Sequence, residues 1–388
     1  MRRPIRLLVL AAVAAAGIWA ALSAHDVRPP SQVTNWAGEP GALAAKLERA
    51  LAQATRSAAG QSFWVGYSIE RLQGEHSAIG SFHDGDRALR PTIADVLAGR
   101  SSRALSETTA EDVGRAAAAA LDKIERQGKP EKKVLKELGF FLRFEPGRPA
   151  ALSRVRLSNL DLSFDFGGAP LYWLGRAPED QSLGLIRDLY GRGGVESLRQ
   201  DLVAAAGCHG TPRLVLPFLA GILSGRDPDE LRKDAAFWIS QQDDPEGLRL
   251  LSKAARTDRS REVREAAVFG LSQIEVPAAV DEMIALTREA EQREVRKQAV
   301  FWLGQMASKK AEGVLEETAL KDSDLEIQEQ ALFALAELPD HQGVEPLIRM
   351  ARTHPDPRLR KKAIFWLGEC DDPRALETII AILKGKGK

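Results

Sequence analysis

The residues able to carry chemistry are few and scattered along the chain. Six histidines occur (His25, His76, His83, His209, His341 and His354), together with two cysteines, Cys208 and Cys370. No two histidines stand four apart, the spacing that lets a helix aim two imidazoles at one metal. His83-Asp84-Gly85-Asp86 is the one cluster of ligand-type residues, but Asp and Gly are also the ordinary components of a solvated turn, and a turn is expected there. Cys208 and His209 are adjacent, whereas a nucleophile and its base normally meet from separated positions. With Gly210 behind them they read as a helix end. A Gly-x-Ser-x-Gly elbow, a P-loop and a dinucleotide fingerprint are all missing. The expectation is no catalytic residue, no cofactor and no metal.

What repeats is aromatic. Ala235-Ala236-Phe237-Trp238-Ile239 returns as Ala267-Val268-Phe269-Gly270-Leu271, Ala299-Val300-Phe301-Trp302-Leu303, Ala331-Leu332-Phe333-Ala334-Leu335 and Ala363-Ile364-Phe365-Trp366-Leu367, with the phenylalanines 32 residues apart at every step. A fixed period in the 20–50 range marks a stacked repeat array. Advancing about 100° per residue places Val263, Ala267, Gly270, Leu271 and Ile274 on one helix face, the buried one. Trp238, Trp302 and Trp366 share the Gly270 position and are expected to fill the core. The phenylalanines point well away from that face. Either each ring packs laterally between neighbouring helices, or Phe237, Phe269, Phe301, Phe333 and Phe365 form an exposed ladder that binds a partner.

The elements that hold these residues are pairs of helices. Around Phe269 a first helix covers Arg261 to about Gln273, and a second covers Ala278 to Thr287. Prolines open the second helix at Pro245 and Pro373, where the first turn has no use for the missing N–H. A degenerate sixth unit lies upstream, from Val195 to Leu223, as expected of a terminal repeat. Arg232, Arg264, Arg296 and Arg360 also recur and are expected to bond a neighbouring loop acid such as Asp324 or Asp356. Cys208 and Cys370 then sit five units apart at about 8–10 Å per helix, beyond the ~7 Å reach of a disulfide, so no bridge between them is expected.

Val263-Arg264-Glu265-Ala266-Ala267, with Leu271 and Ile274, resembles the first-helix motif of short HEAT repeats of the kind named after phycobilin lyases. Leu231-Arg232, Val295-Arg296 and Leu359-Arg360 repeat its opening, and Ile327-Gln328 departs from it. The resemblance implies an all-α solenoid of about six helical-hairpin units and says little of chemistry, because such repeats serve unrelated partners. In the phycobilin-lyase relatives a bilin is the substrate, and nothing in residues 40–190 carries that activity over.

Upstream the pattern changes. Residues 1–24 read as a signal peptide or signal anchor: Arg2, Arg3 and Arg6 precede an uncharged run from Leu7 to Ala24. The chain is therefore expected to be exported, periplasmic or secreted if cut after Ala24, and otherwise anchored to the inner membrane through residues 7–24. Residues 25–39 read as a linker and 40–190 as a small α+β domain. That domain is expected to run through a helix over Gly41–Ala58, strands at Phe63–Ile69 and near Ala78–Phe82, a loop over Gly85–Ala110 and a helix over Glu111–Gln127. Strands at Leu138–Phe144, Leu152–Leu157 and Leu160–Phe166 and a helix to Tyr190 complete it. The solenoid occupies 195–383, and 384–388 is a basic tail. Fifty-four basic residues against 54 acidic ones argue against a nucleic-acid coat. The expected role is a non-catalytic protein–protein interaction scaffold. The alternative is an enzyme or ligand-binding domain in 40–190, its pocket lined by Phe63, Trp64, Tyr67, Phe140, Phe141, Tyr172 and Trp173.

Overall fold

The computed structural model describes residues 27–57, 60–75, 77–80, 91–100, 132–147, 149–242, 244–306 and 309–384. The expected targeting segment, the His83-Asp84-Gly85-Asp86 turn, the Glu111–Gln127 helix and residues 385–388 lie outside them. The chain gathers into two compact units that divide between Thr211 and Pro212. Among the described residues no helix is long and apolar enough to cross a membrane.

In the first unit a five-stranded sheet has the order β1-β5-β2-β3-β4, with β1 at Val33–Asn35, β2 at Phe63–Gly74, β3 at Lys133–Glu145, β4 at Ala151–Asn159 and β5 at Leu171–Arg176. The middle strands β2, β3 and β4 pair antiparallel; β5 joins β2 in parallel, and β1 joins β5 in parallel. Alternation along β2 sends Phe63, Val65 and Tyr67 to one face, against Phe144, Leu142 and Phe140 of β3. Helices α1 (Leu43–Ser57) and α3 (Glu179–Gly191) cover that face. Trp64, Phe141, Leu171 and Trp173 fill the other face with Leu160, Phe166 and Ile93, the last from the short helix α2 (Ile93–Leu97). Phe141 lies over Gly139, where a Cβ would stand 2.7 Å from its ring, so this strand position has room only for glycine. Helix α4 (Glu196–Gly207) packs on β4 and α3.

Several expected elements differ. The stretch read as a linker carries β1. Residues 77–80 are not a strand, because β2 takes β3 as its partner instead. Leu160–Phe166 alternates like a strand but is none: the Leu160 and Leu162 carbonyls accept from the Ala94 and Ile93 amides at the start of α2. Within the expected loop, Thr92 and Asp95 form a reciprocal capping box that starts α2.

The second unit is all helix: α5 (Pro212–Leu223), α6 (Asp229–Ser240), α7 (Pro245–Thr257), α8 (Arg261–Ser272), α9 (Pro277–Glu289), α10 (Arg293–Gln305), α11 (Lys309–Lys321), α12 (Leu325–Glu337), α13 (Val344–Thr353), α14 (Pro357–Glu369) and α15 (Pro373–Leu383). Proline opens α7, α9, α14 and α15. The even-numbered helices α6 to α14 pack on one another in sequence, and the odd-numbered ones α5 to α15 form a second layer. Val263, Ala267, Gly270 and Leu271 are buried, as are their counterparts Leu231, Ala235 and Ile239, and Val295, Ala299 and Leu303. This is an α-solenoid following an α+β unit.

Candidate functional site

The phenylalanines are placed by the period itself. Each stands on an even-numbered helix, off the buried stripe, and neighbouring helices bring successive rings together. Phe269 meets Trp302 at 5.1 Å between centroids, Trp302 meets Phe301 at 4.9 Å, and Phe301 lies parallel to Phe333 at 6.0 Å. Phe333 meets Trp366 at 5.0 Å, which meets Phe365 at 5.0 Å. One unbroken aromatic stripe therefore crosses α8, α10, α12 and α14. On α6, Phe237 and Trp238 form a pair of their own at 5.3 Å.

These rings are neither core nor fully free. Phe237 is 41% exposed and Phe365 53%, while Phe269, Phe301 and Phe333 are half-buried. Lateral packing and exposure, posed as alternatives by the sequence, coexist: each ring leans on a neighbouring ring and keeps an outer edge in water. Trp238, Trp302 and Trp366, expected as core, are half-buried too. Trp302 and Trp366 reach back over the phenylalanine of the preceding unit, where Gly270 and Ala334 leave the adjoining position small. The tryptophans thus join the stripe. Sequence held the signal in their alternation with Gly270 and Ala334, a two-unit rhythm laid over the single period.

The opposite layer is built differently, and its last helix α15 exposes Leu376, Ile380 and Leu383. Its odd-numbered helices are tied unit to unit by ion pairs: Arg256 with Glu282, Arg288 with Glu317 at 2.8 Å, Arg349 with Glu316 at 2.7 Å, and Arg374 with Glu345 at 3.2 Å. Each exposed pair is worth little alone, but the row leaves that side neutralised by its own partners.

The recurring arginines are structural. Arg264, Arg296 and Arg360 donate to the carbonyls of Asp258, Ala290 and His354, six residues back in the loop before each helix. Arg232 is buried and forks onto the Asp258 carboxylate at 2.7 and 2.6 Å, with Asp229 beside it. Asp324 and Asp356, the partners expected from sequence, are held by Arg293 and Arg358 instead. Those two arginines are the first residue of α10 and the second of α14, three and two residues ahead of the recurring positions Arg296 and Arg360, and reach the capping acid first.

In the first unit the histidine and cysteine expected at a helix end are found there, beside α4, and they are sealed. His209 Nδ1 lies 3.0 and 3.1 Å from the Ala205 and Ala206 carbonyls, which only accept, so Nδ1 carries the proton. Nε2 is then the acceptor and takes the Ser182 hydroxyl at 2.9 Å, and Ser182 Oγ in turn takes the Tyr67 hydroxyl at 3.0 Å. Tyr67, Ser182 and His209 are all buried. A Ser–His contact with no approach from solvent works as a polar pin between β2, α3 and the end of α4. Burial lowers the His209 pKa and pushes the Cys208 thiol up to about 11, so the sulfur stays protonated at neutral pH. Both cysteines are free. The aromatic residues proposed to line a pocket are the sheet core itself. A groove of about 490 Å³ does lie beside Leu51, Leu152, Leu189 and Leu198, with the Glu48–Arg192 pair at 3.5 Å on its lip. Among the described residues no group of three or more His, Cys, Asp and Glu converges as metal ligands would.

The period and the helix pairing match the HEAT-repeat family model over residues 215–300 and 280–353, and the PBS lyase HEAT-like repeat over 359–385. The C-terminal half is a HEAT-repeat array. Among solved structures, human deoxyhypusine hydroxylase in complex with glycerol is similar at 19% identity, covering 53% of this chain and 84% of its own, with a TM-score of 0.24. The CpcE–CpcF complex of phycocyanin lyase from Nostoc sp. PCC7120 is similar at 19% identity, covering 48% of this chain and 97% of its own, also with a TM-score of 0.24. Neither likeness bears on function at that score. No curated protein matches the chain.

Proposed function

We propose that this protein is an exported, non-catalytic scaffold whose HEAT array binds a protein partner along the aromatic stripe of α8 to α14. The observation carrying the reading is the ring-to-ring continuity from Phe269 to Phe365, with outer edges left in water. Stability alone asks for buried rings, and an exposed apolar line of this length is what interaction surfaces are made of. On the helices of the opposite layer the exposed large apolar residues are Leu320 on α11 and Leu376, Ile380 and Leu383 on α15, and among the described residues no aromatic row runs from unit to unit there. Export rests on the charged start and uncharged run of residues 1–24.

The test is affinity capture from an envelope fraction with the full chain and with its Phe301→Ser/Phe333→Ser variant. A partner retained by the first and lost by the second, both showing the same helical circular dichroism, is the expected result. Equal capture by both removes the stripe from the reading. The rival, a small-ligand site in the first unit, has the apolar groove beside Leu189 as its physical basis, and a Leu189→Trp variant that changes the capture pattern would favour it.

A further inference from the structure

Helix α15 departs from the odd-numbered helices before it. Leu376, Ile380 and Leu383 follow one another by four and then three residues, so they form a single stripe along the helix. At the same three places of the 32-residue period, none of α7, α9, α11 and α13 has three large aliphatic residues. The third place differs most. It holds Ala255, Thr287, Ala319 and Ala351 in the earlier helices, each exposed by 4% or less, whereas Leu383 is 81% exposed, with Leu376 at 61% and Ile380 at 41%.

A small buried residue at that place lets the next helix of the layer pack close, as α9 does on α7, α11 on α9 and α13 on α11. Leucine there would overfill such a contact. The outer side of α15 is therefore not shaped to receive another unit in the array's own register. It is an apolar stripe at the place where the outermost unit of a stack ordinarily turns a polar side to water.

Two exposed charges flank the stripe on one side, Glu377 and Lys384. In the inner units their places reach across to a neighbour. Asp281 and Glu345, the counterparts of Glu377, pair with Lys310 at 2.7 Å and Arg374 at 3.2 Å in the following unit. Arg256 and Arg288, the counterparts of Lys384, pair with Glu282 and Glu317. At a rise of 1.5 Å per residue, Glu377 lies about 4.5 Å before Ile380 and Lys384 about 6 Å after it. Leu376 and Leu383 lie about 6 Å before it and 4.5 Å after it. Laid antiparallel on a copy of itself about a two-fold axis at Ile380, the stripe meets Leu376 with Leu383 and Glu377 with Lys384, each pair offset by about 1.5 Å. A parallel copy sets like charges level with each other instead. The face is its own complement, as an isologous contact requires.

We infer that the outer side of α15 is a self-association surface, and that its occupant is α15 of a second copy of this chain, antiparallel and related by a two-fold axis at Ile380. One helix from each chain buries less than the ~1,600 Å² of a standard interface, so the dimer is weak and depends on concentration. The aromatic stripe lies on the even-numbered helices and takes no part in it.

Sedimentation velocity of the full chain over a concentration series is the test, and a reversible monomer–dimer equilibrium is expected. Ile380→Asp sets two like charges at the axis and should weaken the dimer at least about tenfold. Glu377→Lys and Lys384→Glu should each weaken it severalfold, and Glu377→Lys/Lys384→Glu, which exchanges the two ends, should restore it. The charge variants alter exposed groups only, so they keep the test valid if Ile380→Asp misfolds. Phe301→Ser/Phe333→Ser should dimerise like the parent, which separates this result from that of the scaffold reading. A monomer at every concentration, or a dimer indifferent to Ile380→Asp, overturns the inference. A double reversal that fails to restore what the single reversals lose overturns the antiparallel pairing. Binding to anionic phospholipid vesicles that Ile380→Asp abolishes, with no dimer in solution, would give the face to a membrane and overturn it as well.

Discussion

Arg232 is the costliest side chain in the array to place. It is 1% exposed, and its main partner Asp258 is 7% exposed. Taking two charges out of water is repaid only while both remain, so removing one leaves the other buried and uncompensated. Arg232→Ala should destabilise the α6–α8 region by about 3–5 kcal/mol, and an apolar Arg232→Met should recover part of that; amide exchange in α6 and α7 is the readout. His209 provides the pH-dependent counterpart. Burial, set against the nearby Glu179, holds its folded pKa below the ordinary value, near 6.5 in an unfolded chain. Below about pH 6.5 the unfolded chain takes up a proton that the folded one refuses, so the stability His209 contributes is whole above that pH and is lost as pH falls through the lower folded value. His209→Gln, which keeps a polar group and removes the titration, should flatten the fall in first-unit stability on acidification. A variant with an unchanged slope would assign the effect elsewhere.

At the scale of elements, two glycines separate what backbone geometry demands from what it tolerates. A Cβ on Gly343, before α13, would lie 1.7 Å from the Leu335 carbonyl oxygen, a backbone atom that cannot step aside. Gly343→Ala should therefore cost about 3 kcal/mol or more. Gly313, exposed inside α11, has nothing within 4 Å of its Cβ position, and Gly313→Ala should stabilise by about 0.5–1 kcal/mol. Thermal melts of the two variants should shift in opposite directions. The elements of the array were legible because each unit repeats the same length, so one helix pair read correctly gives all five. The first unit was less so. Its sheet order brings β5 between β1 and β2, and its β2–β3 pairing spans a long connection, neither of which leaves a local trace. Leu160–Phe166 misleads for a physical reason: apolar alternation reports which side chains are buried, not where the carbonyls bond, and here they cap a helix.

On the scale of the whole array, stability is a sum of units and their interfaces, each unit leaning only on its neighbours. Ala299 is fully buried in α10, near the middle of that sum. Ala299→Asp places a carboxylate there with no partner, at a cost of several kcal/mol. The loss should be deepest in α9 to α12 and fall away unit by unit, seen as a gradient of amide protection by hydrogen exchange. Uniform loss across α5 to α15 would mean the array melts as one cooperative block. The same additivity bears on the stripe, which exists only while successive even-numbered helices hold their spacing. Opening α10 removes Phe301 and Trp302, the rings that join Phe269 to Phe333. Ala299→Asp should therefore abolish binding by the stripe even though Ala299 never reaches the surface. An exposed change such as Phe365→Ser should leave the protection gradient untouched. A binding loss that tracks hydrogen exchange in the first variant, and is independent of it in the second, would separate the array's role as a ruler from its role as a surface.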